Sequence, residues 1–300
     1  AFTTPHSSFP NTLSMITLIA DSGSTKTDWA LRSDENTIGR VRGHGLNPTT
    51  MTEETLRTYL LDDIAEIKQT MLGANIDVDD AALTIRFYGA GCRGEGIARL
   101  SALLSEIVGT FHVSVDGDQL AAARALLGTK AGIACILGTG SNACRYDGQA
   151  IMPGGVPSLG YILGDEGGGV SLGRRLLSDA AKRQLPDSIC NALFAIEGVS
   201  IDSIIQHVYR GATPARYLAS FVPFIVEHRN EKAIHALLVE EFSRFIRRNI
   251  LPLQPEIHEA VHFVGGVAKT FCAELEEALY HHTLTLGEVI QAPFDRLENL

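Results

Sequence analysis

Hydrophobic and polar positions divide this chain of 300 residues into two unlike stretches. Up to about residue 150, short apolar or alternating runs dominate. They predict strands over 15–20, 28–32, 37–43, 83–88, 111–115, 133–137 and 142–146, most of them stopping at Gly, Asp or Asn. From 169 to 281 the apolar spacing turns helical, and only 260–264 and 284–291 read as further strands. Helices are predicted over 52–70, 95–108, 118–128, 169–184, 200–209, 215–227, 231–249 and 269–281. In the first of these, Leu56, Leu60, Ile64 and Ile67 recur at helical spacing.

One pattern occurs twice. Residues 15–32 run strand, polar glycine turn, strand around "DSGSTKT". Residues 133–146, "IACILGTGSNACRY", do the same around "GTGSN", and Asp147-Gly148 adds a further hairpin signal. Two such hairpins in one chain predict two related domains. The break falls near residue 117, after "HVSVDGD". Residues 15–117 form the first domain on this reading and 118–292 the second. Met15 reads as a natural start, with residues 1–14 an extension or cloning scar.

Composition narrows the classes. Hydrophobic residues make up 45%, enough for real cores, and the formal net charge is −10. A nucleic-acid surface needs a basic stripe, which that balance argues against. Anionic ligands stay open, because turns of backbone N–H groups bind phosphate without net positive charge. Five cysteines, at 92, 135, 144, 190 and 272, show no CxxC spacing. That argues against a disulfide framework or zinc cluster and for reduced thiols of a cytoplasmic protein. No apolar run approaches the roughly 18 residues of a membrane span, and the N-terminus lacks the basic start and apolar stretch of a signal peptide.

The first turn is dense in donors. Ser22, Ser24, Thr25 and Thr27 carry hydroxyls, Gly23 lets the backbone come close, and Lys26 adds a cation. Such a turn can wrap a polyphosphate, although Ser, Gly and Thr also favour ordinary turns. It is no Walker A loop, because a strand follows it instead of a helix. Asp21 would repel phosphate but suits the Mg²⁺ that accompanies ATP. In the second turn Gly138 and Gly140 permit tight geometry, and Thr139, Ser141 and Asn142 donate. "VHFVGGVAKTF" is a strand, a Gly265-Gly266 break and a helix start, suited to backbone packed on an adenosine. Asp116 ends a strand, where it could take a proton from a hydroxyl attacking phosphate. Asp118 then caps the next helix. In "GDEGGG", capping explains one of Asp165 and Glu166.

These motifs in this order, with "HGLNPT", "YGAGC" and "GGVPSLGYILGDEGGG", resemble the sugar kinase, actin and heat-shock ATPase superfamily. Within it the chain is similar to the branch holding N-acetylglucosamine kinase and the BadF/BadG/BcrA/BcrD-type ATPases. The resemblance covers residues 15 to about 292. It implies an α/β fold of two actin-like, ribonuclease H-like domains with ATP in the cleft, and a C-terminal helix, begun by residues 293–300, that returns to the first domain. By position, Asp21, Ser24, Thr25 and Lys26 become phosphate and magnesium contacts, and Thr139 and Gly140 contacts of the second hairpin. Gly265 and Gly266 meet the adenosine. Asp116 resembles the catalytic base, and Asn47, Asn142 and Asp165 the sugar contacts. The implied partner is a small sugar, without nucleic acid or membrane, and a homodimer is left open. Acetylglucosamine kinases carry Trp-Gly where this chain has Leu159-Gly160, and the zinc-binding cysteine cluster of ROK kinases is absent.

Two other readings stay open. Gly89, Gly91 and Gly94 spell G-x-G-x-x-G after a strand and before a helix, with Asp116 at the end of the next strand. That satisfies the dinucleotide fingerprint of an NAD-dependent oxidoreductase. A sensor that kept the cleft and lost turnover is the third.

Overall fold

The computed structural model describes residues 15–23, 26–33, 36–76, 82–110 and 112–297. The strands are β1 (Met15–Ser22), β2 (Lys26–Arg32), β3 (Thr37–His44), β4 (Ala82–Gly89), β5 (Val113–Gly117), β6 (Gly132–Leu137), β7 (Ser141–Tyr146), β8 (Ala260–Val264) and β9 (Thr285–Ile290). The helices are α1 (Glu53–Gly73), α2 (Glu95–Val108), α3 (Asp118–Leu127), α4 (Gly160–Leu163), α5 (Gly169–Ala181), α6 (Asp187–Phe194) and α7 (Ile201–Tyr209). They continue with α8 (Pro214–Ala219), α9 (Val222–Glu227), α10 (Lys232–Phe245), α11 (Gly266–Thr270), α12 (Cys272–His281) and α13 (Phe294–Leu297).

The chain divides into two compact units. One runs to Ala121 and takes in Arg296 and Leu297. The other is Ala122–Asp295. The first holds a five-stranded sheet in the order β3-β2-β1-β4-β5, the second a four-stranded sheet in the order β7-β6-β8-β9. Each is built around an antiparallel hairpin, β1 with β2 and β6 with β7. Each then extends by parallel strands, β1-β4-β5 and β6-β8-β9. The twofold repeat of hairpins in the sequence is therefore a twofold repeat of sheets.

The helices of 169–281 differ from their predicted outlines. The single helix expected over 215–227 is two, α8 and α9, with Pro223 in the first turn of the second. Proline has no N–H to give and is tolerated only there. The helix expected over 231–249 ends as α10 and continues as a π-helical turn, Ile246–Ile250. The one expected over 269–281 is α11 and α12, divided at Phe271. The short helices α4 and α6 were not expected.

In the first unit α1 presents Leu56, Leu60, Ile64, Ile67 and Met71 to the sheet, all buried. A carboxylate lies among them. Asp63, 2% exposed, accepts the indole N–H of Trp29 at 2.9 Å and the backbone N–H of His44 at 3.0 Å, and lies 2.9 Å from His44 Nδ1. Gly43 makes that approach possible, since a Cβ there would stand 1.9 Å from the carboxylate. One α1 side chain thus fixes the middle of β2 and the end of β3. Asp63→Ala would leave buried donors without acceptors, each worth about 1–3 kcal/mol. We expect a loss of about 3 kcal/mol, measured as a lowered urea midpoint at unchanged m-value. A loss under about 1 kcal/mol would show that the clamp contributes little.

Candidate functional site

Cα partners in the first sheet form rows across its strands. One row is Val41, Trp29, Ala20, Phe87 and Val115, the next Arg42, Asp28, Asp21, Tyr88 and Asp116, and the last Gly43, Thr27, Ser22, Gly89 and Gly117. Side chains alternate between faces, so the apolar and small rows share the face that α1 covers. The charged row takes the other. Asp21 and Asp116 therefore stand on one face with Tyr88 between them, two strand spacings or about 10 Å apart at Cα.

The row pattern corrects one expectation. The hydroxyls of Ser22 and Thr27 point inward, not to a ligand. They bond each other at 2.7 Å, and both residues are buried. Ser22 Oγ accepts the Leu46 N–H at 2.9 Å, and Thr27 Oγ1 donates to the His44 carbonyl at 2.5 Å. They tie the turn to the loop after β3. Gly23 closes the turn, its N–H donating to the Lys26 carbonyl at 2.9 Å. Ser24 and Thr25 lie outside the described residues. Lys26 is half exposed and pairs with Asp28 at 2.5 Å, which also takes Arg42 Nε at 3.1 Å.

Carboxylates gather at the ends of the parallel strands. Asp21 has its pKa pushed up to about 7, first by burial, then by Asp28 and Asp118, with Lys26 opposing. Asp118 opens α3. Burial pushes its carboxyl up against the opposing N–H groups of Gln119 and Asp118 itself. The Cys92 thiol rises to about 12 through burial, then Asp118 and Asp116. Asp116 accepts the Ser114 hydroxyl at 3.1 Å. Asn47 lies in the loop after β3, its Oδ1 accepting the Thr49 N–H at 3.0 Å. Arg99 holds that loop by the carbonyls of Pro48 and Met51.

The dinucleotide fingerprint has the predicted strand, loop and helix, β4 to α2. Its second glycine should leave backbone open to a pyrophosphate. Here the Asn47 carboxamide fills that space, 2.1 Å from where a Cβ of Gly91 would stand. The glycine serves internal packing.

In the second unit three glycine segments meet at the ends of β6 and β8. Gly169 N–H donates to the Gly138 carbonyl at 2.8 Å and Val170 N–H to that of Thr139 at 3.0 Å. A Cβ on Gly168 would lie 2.7 Å from Gly140, and one on Gly265 2.2 Å from the Leu137 carbonyl. Gly265 has φ 130, open to glycine alone. Gly266 starts α11 beside it. Asp165 adopts φ 57, and its Oδ1 accepts the Ser141 N–H at 3.1 Å. Burial, then Glu166, raises its carboxyl against the Ser141 bond and Arg174. Thr139 is exposed at the tip of the turn, and Asn142 is half-buried, its Oδ1 accepting the Ala143 N–H at 3.0 Å.

Neither Asp165 nor Glu166 caps α5, which corrects the helix-cap expectation. The cap is Gly168, with no side-chain bond. Glu166 is buried, with Oε1 2.6 Å from Arg248 Nε and Oε2 accepting Asn249 Nδ2 at 3.3 Å. Sequence reasoning missed this pairing, which joins residues 83 positions apart. In the first unit Asp21 and Asp116 share a sheet face near Asp118, and Asn47 packs against Gly91; in the second, Gly138, Thr139 and Gly140 meet Asp165, Gly265 and Gly266, with Asn142 in β7 after the turn.

No family model and no curated protein sequence matches the chain. Among solved structures it is similar to a putative N-acetylglucosamine kinase from Porphyromonas gingivalis. That match is 37% identical over 94% of this chain and 97% of the other, with a TM-score of 0.85. A putative N-acetylglucosamine kinase from Chromobacterium violaceum matches at 18% identity over 91% and 94%, with a TM-score of 0.70. A ROK family glucokinase from Streptomyces griseus, in complex with glucose and AMPPNP, matches at 15% identity over 92% and 94%, with a TM-score of 0.52. The last two show the fold.

The raised Asp21 carboxyl sets a pH dependence. Between about pH 4 and pH 7 the folded chain holds a proton there that the unfolded chain has released, so stability falls as pH rises through that window. Above about pH 7 the cost is complete. Asp21→Asn carries no charge, so it should melt a few degrees above wild type near pH 8 and converge with it near pH 4. A difference independent of pH would show that the Asp21 charge is not opposed by its surroundings.

Proposed function

The chain belongs to the N-acetylglucosamine kinase and BadF/BadG/BcrA/BcrD-type ATPase branch of the sugar kinase, actin and heat-shock ATPase superfamily, and we propose that it is an ATP-dependent kinase of a hydroxyl on an amino sugar or related hexose. The observation that carries the proposal is the repeated glycine turn, one at the end of β1 and one at the end of β6, with carboxylates gathered at the first.

Phosphoryl transfer asks mainly for positioning and charge stabilisation. Gly23 and Gly138 shape the two turns, their N–H groups given to the Lys26 and Gly140 carbonyls, and Thr139 and Gly140 serve the phosphates in this reading. Lys26 joins them by leaving Asp28, an exposed pair whose loss costs about 0–1 kcal/mol. Gly265 and Gly266 meet the adenosine. Asn47, Asn142 and Asp165 serve sugar hydroxyls, Asp165 through Oδ2 while Oδ1 keeps Ser141.

Magnesium fits Asp21. A dication would relieve a partly buried carboxylate opposed by Asp28 and Asp118. Mg²⁺ takes one or two carboxylates with phosphate oxygens and water rather than a protein cage, and among the described residues no such cage of three or more His, Cys, Asp or Glu exists. When bound, it would neutralise charge on the transferring group.

Asp116 and Asp118 compete for the role of base. A useful base has a pKa lifted toward the working pH. Burial lifts Asp118, and its charge reaches Asp21. Asp116 has its carboxylate on the Ser114 hydroxyl, and on that geometry the base in this reading is Asp118. Asp118→Asn should lower kcat by about 10²–10⁴-fold with MgATP affinity nearly intact. Asp116→Asn should keep most of the rate. The reverse result returns the base to Asp116, and near wild-type turnover in both removes each from proton transfer.

A melting screen with MgATP, NAD and a panel of amino sugars tests the activity class. Ligand at a hundred times its Kd adds about 2.7 kcal/mol, so MgATP should raise the Tm and NAD should not. A shift with NAD alone would overturn the kinase reading. Lys26→Ala should raise the KM for ATP more than that for sugar. Equal effects, or none, would make Lys26 a solvated turn residue.

A further inference from the structure

We propose that Glu166 is a positioning residue: gripped by Arg248 and Asn249 of the π-helical turn, it fixes the Asp165 carboxylate and the second glycine turn for the acceptor sugar. The proposal rests on the reading of Asp165 as a sugar contact.

Glu166 is 3% exposed and caps no helix. Its carboxylate lies 2.6 Å from Arg248 Nε, 3.9 Å from Arg244 and 3.3 Å from the Asn249 Nδ2 that donates to it. Arg248 and Asn249 are consecutive, and the π turn brings both to one carboxylate. Such turns recur at functional sites because the widened ring re-aims side chains. Next along the chain, Gly167 packs on the same helix, where a Cβ would stand 3.0 Å from Phe245. Asp165 precedes Glu166 in a left-handed conformation, φ 57, which Asp enters more readily than most residues with a Cβ but still at a cost. Pinning Glu166 and Gly167 holds it there. Asp165 then presents Oδ1 to Ser141 and leans on Gly140.

The contacts thus run from Arg248 and Asn249 through Glu166 and Asp165 to the Gly138–Ser141 turn. They form one wall of a cavity of about 230 Å³ that Ser141, Leu159, Asp165, Glu166 and Arg248 line. Stability alone explains this poorly, because a buried ion pair is often matched by apolar residues of similar volume. Geometry explains it better, since the grip acts next to a strained residue that faces a cavity.

The test uses the full chain with MgATP and N-acetylglucosamine, comparing Glu166→Gln, Arg248→Met and Arg248→Lys. Glu166→Gln and Arg248→Met should each raise the sugar KM about tenfold while the ATP KM stays within about twofold. Arg248→Lys should recover most of the loss. Without any ligand, the Ser141 amide should exchange about tenfold faster in Glu166→Gln and Arg248→Met than in wild type. An unchanged Ser141 exchange rate in a folded variant overturns the proposal, as does an equal rise in both KM values. Should wild type not phosphorylate the sugar, the kinase reading fails for that substrate and Ser141 exchange still decides the positioning role. Arg248 is half exposed, so its variants serve if Glu166→Gln does not fold.

Discussion

Main chain against main chain is the contact on which the second unit's loops depend. Gly169 and Val170 donate to the carbonyls of Gly138 and Thr139, while Gly265 presses on Leu137. A single Cβ at Gly168 or Gly265 would stand 2.7 or 2.2 Å from backbone atoms. Three segments far apart in sequence can meet this closely only if each offers glycine at the contact. Their meeting fixes the turn after β6, the start of α5 and the start of α11 against one another. Everything polar that the unit presents there, from Thr139 to Asp165, inherits its position from that contact.

Each unit then adds a buried carboxylate that works at one remove. Asp63 ties Trp29 and His44 together and so fixes the end of β3, from which the Asn47 loop departs. Glu166 ties Arg248 and Asn249 together beside Asp165. Burying a carboxylate is costly unless charge and hydrogen bonds compensate it. At Asp63 the compensation is geometric as well as energetic, because an acceptor surrounded by donors from other elements has one orientation. Asp63 uses an indole, a backbone N–H and an imidazole. Glu166 uses the charge of arginines that reach in from the surface and one hydrogen bond from Asn249, while its Oε1 accepts none. Both leave a neighbouring loop with fewer conformations than its glycines would otherwise allow.

Strands were legible because an apolar run stops where Gly or Asp enters, and Gly89, Gly117 and Gly138 mark such stops, although β1 runs past Asp21 to Ser22. The inward turn of Ser22 and Thr27 was legible too, by a signal left unused. Each lies two residues from a buried residue of its strand, Ala20 or Trp29, and the period of two places it on the same face. The division at Pro223 is written in the proline itself. The grip of Arg248 on Glu166 is not written locally, since neither residue's neighbourhood names its partner and only the packing of α5 on α10 brings them together. The length of α6 was hidden for a related reason. Eight residues carry few periodic positions, so Ile189, Cys190 and Leu193 reveal themselves as a face only once the core exists.

The segment Val115-Asp116-Gly117-Asp118 shows how far position along a chain falls short of chemistry. Two carboxylates stand two residues apart, and in an extended strand they would share a face and an environment. Gly117 ends β5 and α3 begins at Asp118, so the chain changes direction between them. Asp116 stays in the sheet row beside Tyr88, with the Ser114 hydroxyl on it. Asp118 turns into the carboxylate cluster, where burial lifts it and it in turn lifts Asp21 and Cys92. Desolvation and nearby charge separate acids from bases among groups of identical chemistry. The glycine that ends the strand is therefore what makes two like residues different, and it does so by leaving one in the sheet and turning the other into the helix.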